Sequence, residues 1–229
     1  MKLRYMIIGA GGVGGPVGAY LSKSGADTTL IARGKHLAVL QEHGLTLVSG
    51  ENERESIPVK AIDMDGFLAA REQGAPAPDV IFVCVKGYSL ADTVPFIRKA
   101  AGKDTVVIPV LNIYGTGRTL QAELPELLVT DGCIYISANR IAPGVIQKHG
   151  AICRIVLGCR ATRPTIRCCS RSRPTSKTPG STRFILPMSS ATRCSNLHMC
   201  HRMRPADSII TRKLRKCSIR VRCATALYA

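Results

Sequence analysis

The chain opens with an apolar run of strand length that breaks at once into glycines. Tyr5 to Ile8 is followed by Gly9-Ala10-Gly11-Gly12-Val13-Gly14, with Gly18 one helical turn further on. This is G-x-G-x-x-G, set between a predicted buried strand and a predicted helix with apolar positions Val13, Val17, Tyr20 and Leu21. In a dinucleotide-binding turn each glycine has its own task. Gly9 lets the chain leave the strand sharply, and Gly11 brings bare backbone within reach of a pyrophosphate. Gly14 lets the helix pack tightly on the sheet while its first N–H groups face the phosphates. The competing reading is a glycine-rich turn with no ligand.

The residues that follow alternate between strand-like and helix-like stretches. Asp27 to Ala32 reads as a second parallel strand, Lys35 to His43 as a short helix ending at Gly44, and Asp79 to Val85 as a continuously apolar strand. Thr46–Val48 and Ile57–Val59 suit a small hairpin or edge strands, and Ile62 to Pro78 reads as a helix-and-loop insertion. Ser89 to Ala100 is a predicted helix, Thr105–Leu111 a buried strand, Thr116–Leu127 a further helical stretch and Cys133–Ala138 a strand. Gly144–Gln147 and Ile152–Leu157 read as a terminal pair joined through Lys148-His149-Gly150. The pattern predicts an α/β fold with a Rossmann-type doubly wound parallel sheet up to residue 138, and closing strands on an antiparallel edge.

Three positions at strand ends carry chemistry. Folds of this class that select NAD place Asp or Glu after the second strand, to hold both ribose hydroxyls. Arg33 stands there instead, followed by Lys35 and His36, which favours the 2′-phosphate of NADP(H) over a merely solvated arginine. Lys86 directly follows the Asp79–Val85 strand and Asn112 the Thr105–Leu111 strand. Ligands gather at the carboxyl ends of parallel strands, so two polar residues at corresponding ends are candidates for cofactor or substrate contact.

Composition divides the chain. Residues 1–158 hold 16 Lys+Arg against 14 Asp+Glu, whereas residues 159–229 hold 16 Lys+Arg and a single acid, Asp207. The whole chain has a formal net charge of +17, which taken alone would point to nucleic acid, but nearly all of it lies in the second part. No apolar run reaches the roughly 18 residues of a membrane span, and Cys84, Cys133 and Cys153 lie in apolar strand contexts, so a cytoplasmic chain is expected. The fingerprint glycines fall within the apolar stretch after Lys2 and Arg4, so this stretch is read as structure rather than as a signal peptide.

Taken together, GAGGVGGPVGAYLSKSG (9–25), TLIARGKHL (29–37), VCVKGYSL (83–90), VLNIYG (110–115), CIYISANRIAPGVIQKHG (133–150) and IVLG (155–158) resemble ketopantoate reductase, the 2-dehydropantoate 2-reductase family. The resemblance runs in order over 1–158. It implies NADPH-dependent reduction of the 2-keto acid ketopantoate to pantoate, on the route to pantothenate and coenzyme A. It further implies that Gly9, Ala10, Gly11, Gly12, Val13 and Gly14 bind the pyrophosphate, Arg33 the 2′-phosphate, and that Ala138 lines the cofactor. Lys86 and Asn112 would sit by the nicotinamide and the active site. Many members read Gln-Asn-Gly where this chain has Leu111-Asn112-Ile113.

The family's second half is a helical domain with a lysine general acid and a substrate-binding glutamate, and residues 159–229 show no match to it. This segment has 13 Arg, three Lys, 17 Ser+Thr, seven Cys, five Pro and no Glu, without a sustained apolar period. Such a composition predicts disorder or weak structure. An out-of-frame translation of the helical domain accounts for the abrupt change after Gly158. A basic tail binding nucleic acid is the alternative. Cys194, His198, Cys200 and His201 match neither C-x2-C nor a regular histidine pair, so no metal is expected. The expected domains are therefore 1–158, binding NADP, and the tail 159–229. A non-catalytic dinucleotide-binding protein is the rival to the reductase, and oligomeric state is not legible.

Overall fold

The computed structural model describes residues 3–50, 53–159, 182–187 and 222–223. In chain order the first elements are β1 (Arg4–Ile8), α1 (Gly14–Lys23), β2 (Asp27–Ile31), α2 (Gly34–His43), β3 (Leu45–Ser49), β4 (Glu53–Ile57), β5 (Lys60–Ile62) and α3 (Met64–Glu72). There follow β6 (Val80–Val83), a 3-10 turn (Gly87–Ser89), α4 (Leu90–Ala100), β7 (Val106–Pro109), α5 (Thr116–Glu123) and β8 (Leu128–Val129). Last come β9 (Asp131–Ala142), β10 (Val145–Cys159), β11 (Thr182–Pro187) and β12 (Arg222–Cys223).

Six strands form a parallel sheet in the order β5-β2-β1-β6-β7-β8. From β1 the chain first winds to one side through β2, then returns to pair β6 on the other. That reversal leaves a crevice at the carboxyl ends of β1 and β6, where doubly wound sheets bind ligands. Both faces of the sheet are covered, as an all-parallel sheet requires. Tyr5 and Ile7 of β1 join Phe82 and Ile108 in one core, and Met6 and Ile8 join Ile81, Val83 and Val107 in the other. The second core is closed by Val94, Phe96 and Ile97 of α4 and Leu120 of α5. At the foot of the crevice strands, the Arg4 guanidinium forks onto Asp79, with Nε to Oδ2 at 3.1 Å and Nη2 to Oδ1 at 3.3 Å.

The remaining strands depart from the expected arrangement. Cys133–Ala138 does not extend the parallel sheet, which ends at β8. It lies within β9, antiparallel to β10 in a second sheet of order β12-β11-β10-β3-β4. Nor are Gly144–Gln147 and Ile152–Leu157 two paired strands. They are parts of the single strand β10, whose pairing with β9 shifts register between His149 and Cys153. Lys148 is accordingly a buried strand residue, its Nζ donating to the Gly150 carbonyl, rather than part of a connection. β3 does pair in a hairpin, but with Glu53–Ile57 (β4) rather than the expected Ile57–Val59; β3 also lies parallel to β10, leaving β5 to take the edge beside β2.

The second sheet packs on the far side of α1. Ile146 of β10 and Leu45 of β3 crowd Gly15, while Gly18 faces Leu30 of β2. Helix α1 is thus sandwiched between the two sheets, and its glycines let both approach. In the 159–229 segment the structure describes β11, antiparallel to β10, and β12 beyond it. The cluster Cys194, His198, Cys200 and His201 lies outside the described residues, as does most of the basic tail.

Candidate functional site

The glycine loop occupies the crevice. Gly9 has φ +94°, a left-handed backbone that glycine adopts without strain, and its N–H donates to the Ile31 carbonyl at 3.2 Å. A Cβ there would stand 3.1 Å from the Cys84 carbonyl oxygen and 3.2 Å from Val85 Cγ1. The loop therefore turns against the chain leaving β6. Gly14 is closer still: a Cβ would lie 2.9 Å from both Cys84 Cβ and Ile7 Cγ2, and would press on the Gly9 carbonyl. The enclosed Cys84 thiol has its pKa pushed far up by burial. It is packing beneath the loop, not a nucleophile.

Gly11 differs from its neighbours. No atom beyond the adjoining residues comes within 4 Å of where its Cβ would stand, so its outer side is open. Val13 is the N-cap of α1 and supplies no side-chain hydrogen bond; the Gly15 N–H donates to the Gly11 carbonyl at 2.8 Å, and Pro16 has no N–H. The open backbone at Gly11, beside the start of α1, fits a pyrophosphate.

Ala10 and Gly12 bind the loop to the second sheet. Ala10 is buried, and its carbonyl accepts a hydrogen bond from His36 Nε2 at 2.7 Å. His36 Nδ1 accepts from the Gly144 N–H at 2.9 Å, which assigns the neutral Nε2–H tautomer. Burial, with Arg140 acting in the same direction, pushes the His36 pKa down against the Ala10 hydrogen bond. His36 was expected to add positive charge beside Arg33 and Lys35; it turns inward instead and stays neutral. Gly12 lies against the Ala138 carbonyl, with Asn139 Cα 3.1 Å from the position of a Cβ. Ala138, on β9, thus abuts the loop through its backbone.

Arg33 stands two residues after β2 and is the N-cap of α2, with its side chain exposed. It opens onto a cleft of about 430 Å³, lined on one side by Arg33, Lys35 and His36 and on the other by Arg140, Ile141, Ala142 and Pro143. Among the described residues, three cations line this cleft and no carboxylate does. Arg140 gave no signal in the sequence, because its strand belongs to a sheet whose placement depends on contacts about 100 residues away. His36 did leave one: it stands four residues before Leu40, on the face that α2 buries.

Lys86 and Asn112 lie at the carboxyl ends of the adjacent strands β6 and β7, each three residues beyond the register pair Val83 and Pro109. Both are exposed. Gly87 and Ile113, the next residue in each loop, meet through the Ile113 side chain. The structure therefore brings the Lys86 and Asn112 segments together at the crevice, apart from the Arg33 cleft on the β2 side.

The fold is similar to that of solved proteins. The 2-dehydropantoate 2-reductase of Porphyromonas gingivalis superposes with a TM-score of 0.57 at 29% identity, over 66% of this chain and 52% of that one. That of Geobacter metallireducens gives a TM-score of 0.59 at 28% identity, over 71% and 51%. Among curated sequences, an uncharacterized oxidoreductase of Bacillus subtilis is 30% identical over 156 residues, 68% of this chain and 48% of that protein. A 2-dehydropantoate 2-reductase of Mesorhizobium japonicum is 29% identical over 148 residues, 62% and 42% respectively. The chain spans about half the length of the curated relatives it matches. The profile described as "Ketopantoate reductase PanE/ApbA" matches residues 5–162, from β1 through β10. With the glycine loop, the parallel sheet and strands β3, β4, β9 and β10 all inside that match, the chain belongs to the ketopantoate reductase family of oxidoreductases.

Proposed function

We propose that residues 1–158 bind NADPH and that the chain descends from enzymes reducing 2-dehydropantoate to pantoate. The observation that carries this reading is the continuity of one surface: an open glycine turn, an uncapped helix start and a three-cation cleft, joined through His36. Gly9 to Gly14 would hold the pyrophosphate, Arg33 the 2′-phosphate, and Ala138 one side of the cofactor. Lys86 and Asn112 would face the nicotinamide and a 2-keto acid carboxylate or carbonyl. When bound, the cofactor supplies the hydride; the residues of this chain orient it, exclude water and neutralise its phosphates. The cytoplasm, where 2-keto acids and NADPH are found, is the location this reading supports.

Turnover needs a proton for the oxygen that becomes an alkoxide, and the resemblance assigns that proton to a lysine in the family's second half. The family match stops at residue 162, and the basic composition of 159–229 supports an out-of-frame translation in place of that domain. We therefore propose NADPH binding with turnover reduced by about 10²- to 10⁴-fold, the loss typical of a missing acid or oxyanion donor. This favours, as the second reading, a nucleotide-binding chain without catalysis. Titration with NADPH, then addition of 2-dehydropantoate while following absorbance of the reduced nicotinamide, tests both. Saturable binding with slow consumption supports the first reading, saturable binding with none the second, and absence of binding defeats both.

A further inference from the structure

The cleft beside the glycine loop has two walls from two different sheets. One is the start of α2, with Arg33 and Lys35; the other is the end of β9, with Arg140. None of these three side chains has a hydrogen-bond or ion-pair partner among the described residues. Three cations around one volume of about 430 Å³ repel one another, and an anion bound between them turns that repulsion into attraction. The charge of Arg140 is felt inside the cleft, where it helps keep His36 neutral. His36 in turn fastens the two walls, donating to Ala10 and accepting from Gly144, four residues after Arg140. The cleft is therefore a fixed frame, not a chance meeting of surface side chains.

We propose that Arg140, with Lys35, completes the phosphate-monoester subsite begun by Arg33, and that Arg140 is a specificity-determining residue for NADPH over NADH. The inference rests on the NADPH reading above and extends it to the opposite wall. A 2′-phosphate is dianionic and presents three acceptor oxygens, so one arginine leaves charge and acceptors unsatisfied. Arg33 and Arg140 on opposing walls engage it from two sides, and the Lys35 ammonium adds a point charge from the first turn of α2. NADH carries a hydroxyl at this position and gains nothing from the second wall.

The test is equilibrium binding of NADPH and NADH to the full chain, followed by nicotinamide fluorescence. Arg140→Ala should raise the Kd for NADPH about 10-fold or more and that for NADH less than about 2-fold. Arg140→Lys should fall between, keeping charge but losing the planar fork. In the wild type, 2′-AMP should displace NADPH better than 5′-AMP does, and Arg140→Ala should erase that difference. Lys35→Ala, at an exposed helix start, gives a second variant with the same direction should Arg140→Ala not fold. If the wild type prefers NADPH and Arg140→Ala keeps that preference undiminished, the role of Arg140 is overturned while the NADPH reading stands. If the wild type binds both nucleotides equally, the NADPH reading fails and the subsite fails with it.

Discussion

The imidazole of His36 donates from Nε2 to the carbonyl oxygen of Ala10 at 2.7 Å, joining the first turn of α2 to the middle of the glycine loop. The ring can do so while accepting from Gly144 only when it is neutral. Protonation would set two N–H donors face to face at Nδ1 and would add a fourth cation to the cleft of Arg33, Lys35 and Arg140. Its pKa is lowered in the folded chain, so the unfolded chain binds the extra proton first. His36 therefore contributes stability that is complete above about pH 6.5, its unfolded value, and is lost as pH falls from there toward the lowered folded value. Urea melts between pH 8 and pH 5.5 should show this loss, at a pH where most carboxylates stay charged. His36→Ala should lower stability by about 1–3 kcal/mol at pH 8 and flatten the slope. A variant with the wild-type slope would remove His36 as its source.

Gly11 and Gly14 should separate binding from packing. Gly11 has no neighbour within 4 Å of a Cβ and no left-handed backbone, so Gly11→Ala should leave the melting transition nearly unchanged. It should weaken NADPH and NADH alike, by about 10-fold, because the methyl group occupies the approach to the backbone. Gly14→Ala forces a methyl group into Cys84, Ile7 and the Gly9 carbonyl and should destabilise by about 1–3 kcal/mol. If both variants melt alike, the division of labour is wrong.

Arg33→Ala should weaken NADPH by about 10-fold or more and NADH hardly at all. The side chain is exposed and makes no capping hydrogen bond, so stability should stay within about 0.5 kcal/mol of wild type. Equal weakening of both nucleotides, read by isothermal titration, would move Arg33 away from the 2′-phosphate.

Lys86 stands on the far side of the crevice from Arg33 and should behave in the opposite way. Lys86→Ala should weaken NADPH and NADH by similar factors, about 3- to 10-fold, and should lower whatever consumption of NADPH 2-dehydropantoate elicits. A loss confined to NADPH would place Lys86 in the phosphate subsite instead.

The parallel sheet was legible because its determinants are local. Continuous apolar runs such as Val80–Val83, the glycine spacing and the polar residues at strand ends all lie within a few residues of what they specify. The second sheet was not, since β9 and β10 read locally like any other apolar strands. β3, the parallel partner of β10, lies about 100 residues earlier in the chain, and no local period records that pairing. β5 was not read as a strand because three residues carry too little pattern. Of the site, the glycines, Arg33, Lys86 and Asn112 were found by position, whereas Arg140 and the inward turn of His36 required the second sheet to be in place.

Under the proposed function, that second sheet makes nucleotide binding a late event in the life of the chain. Gly144 lies 108 residues after His36, so closing this one link costs about 4 kcal/mol of chain entropy before any contact repays it. A nascent chain that has emerged only through β8 holds every strand of the parallel sheet and both Arg33 and the glycine loop, yet its cleft has a single wall. Affinity for the phosphate should then appear abruptly once residues 131–146 emerge and pair. Cofactor capture would thus act as a checkpoint on synthesis, stabilising only those chains that have been read through to β10.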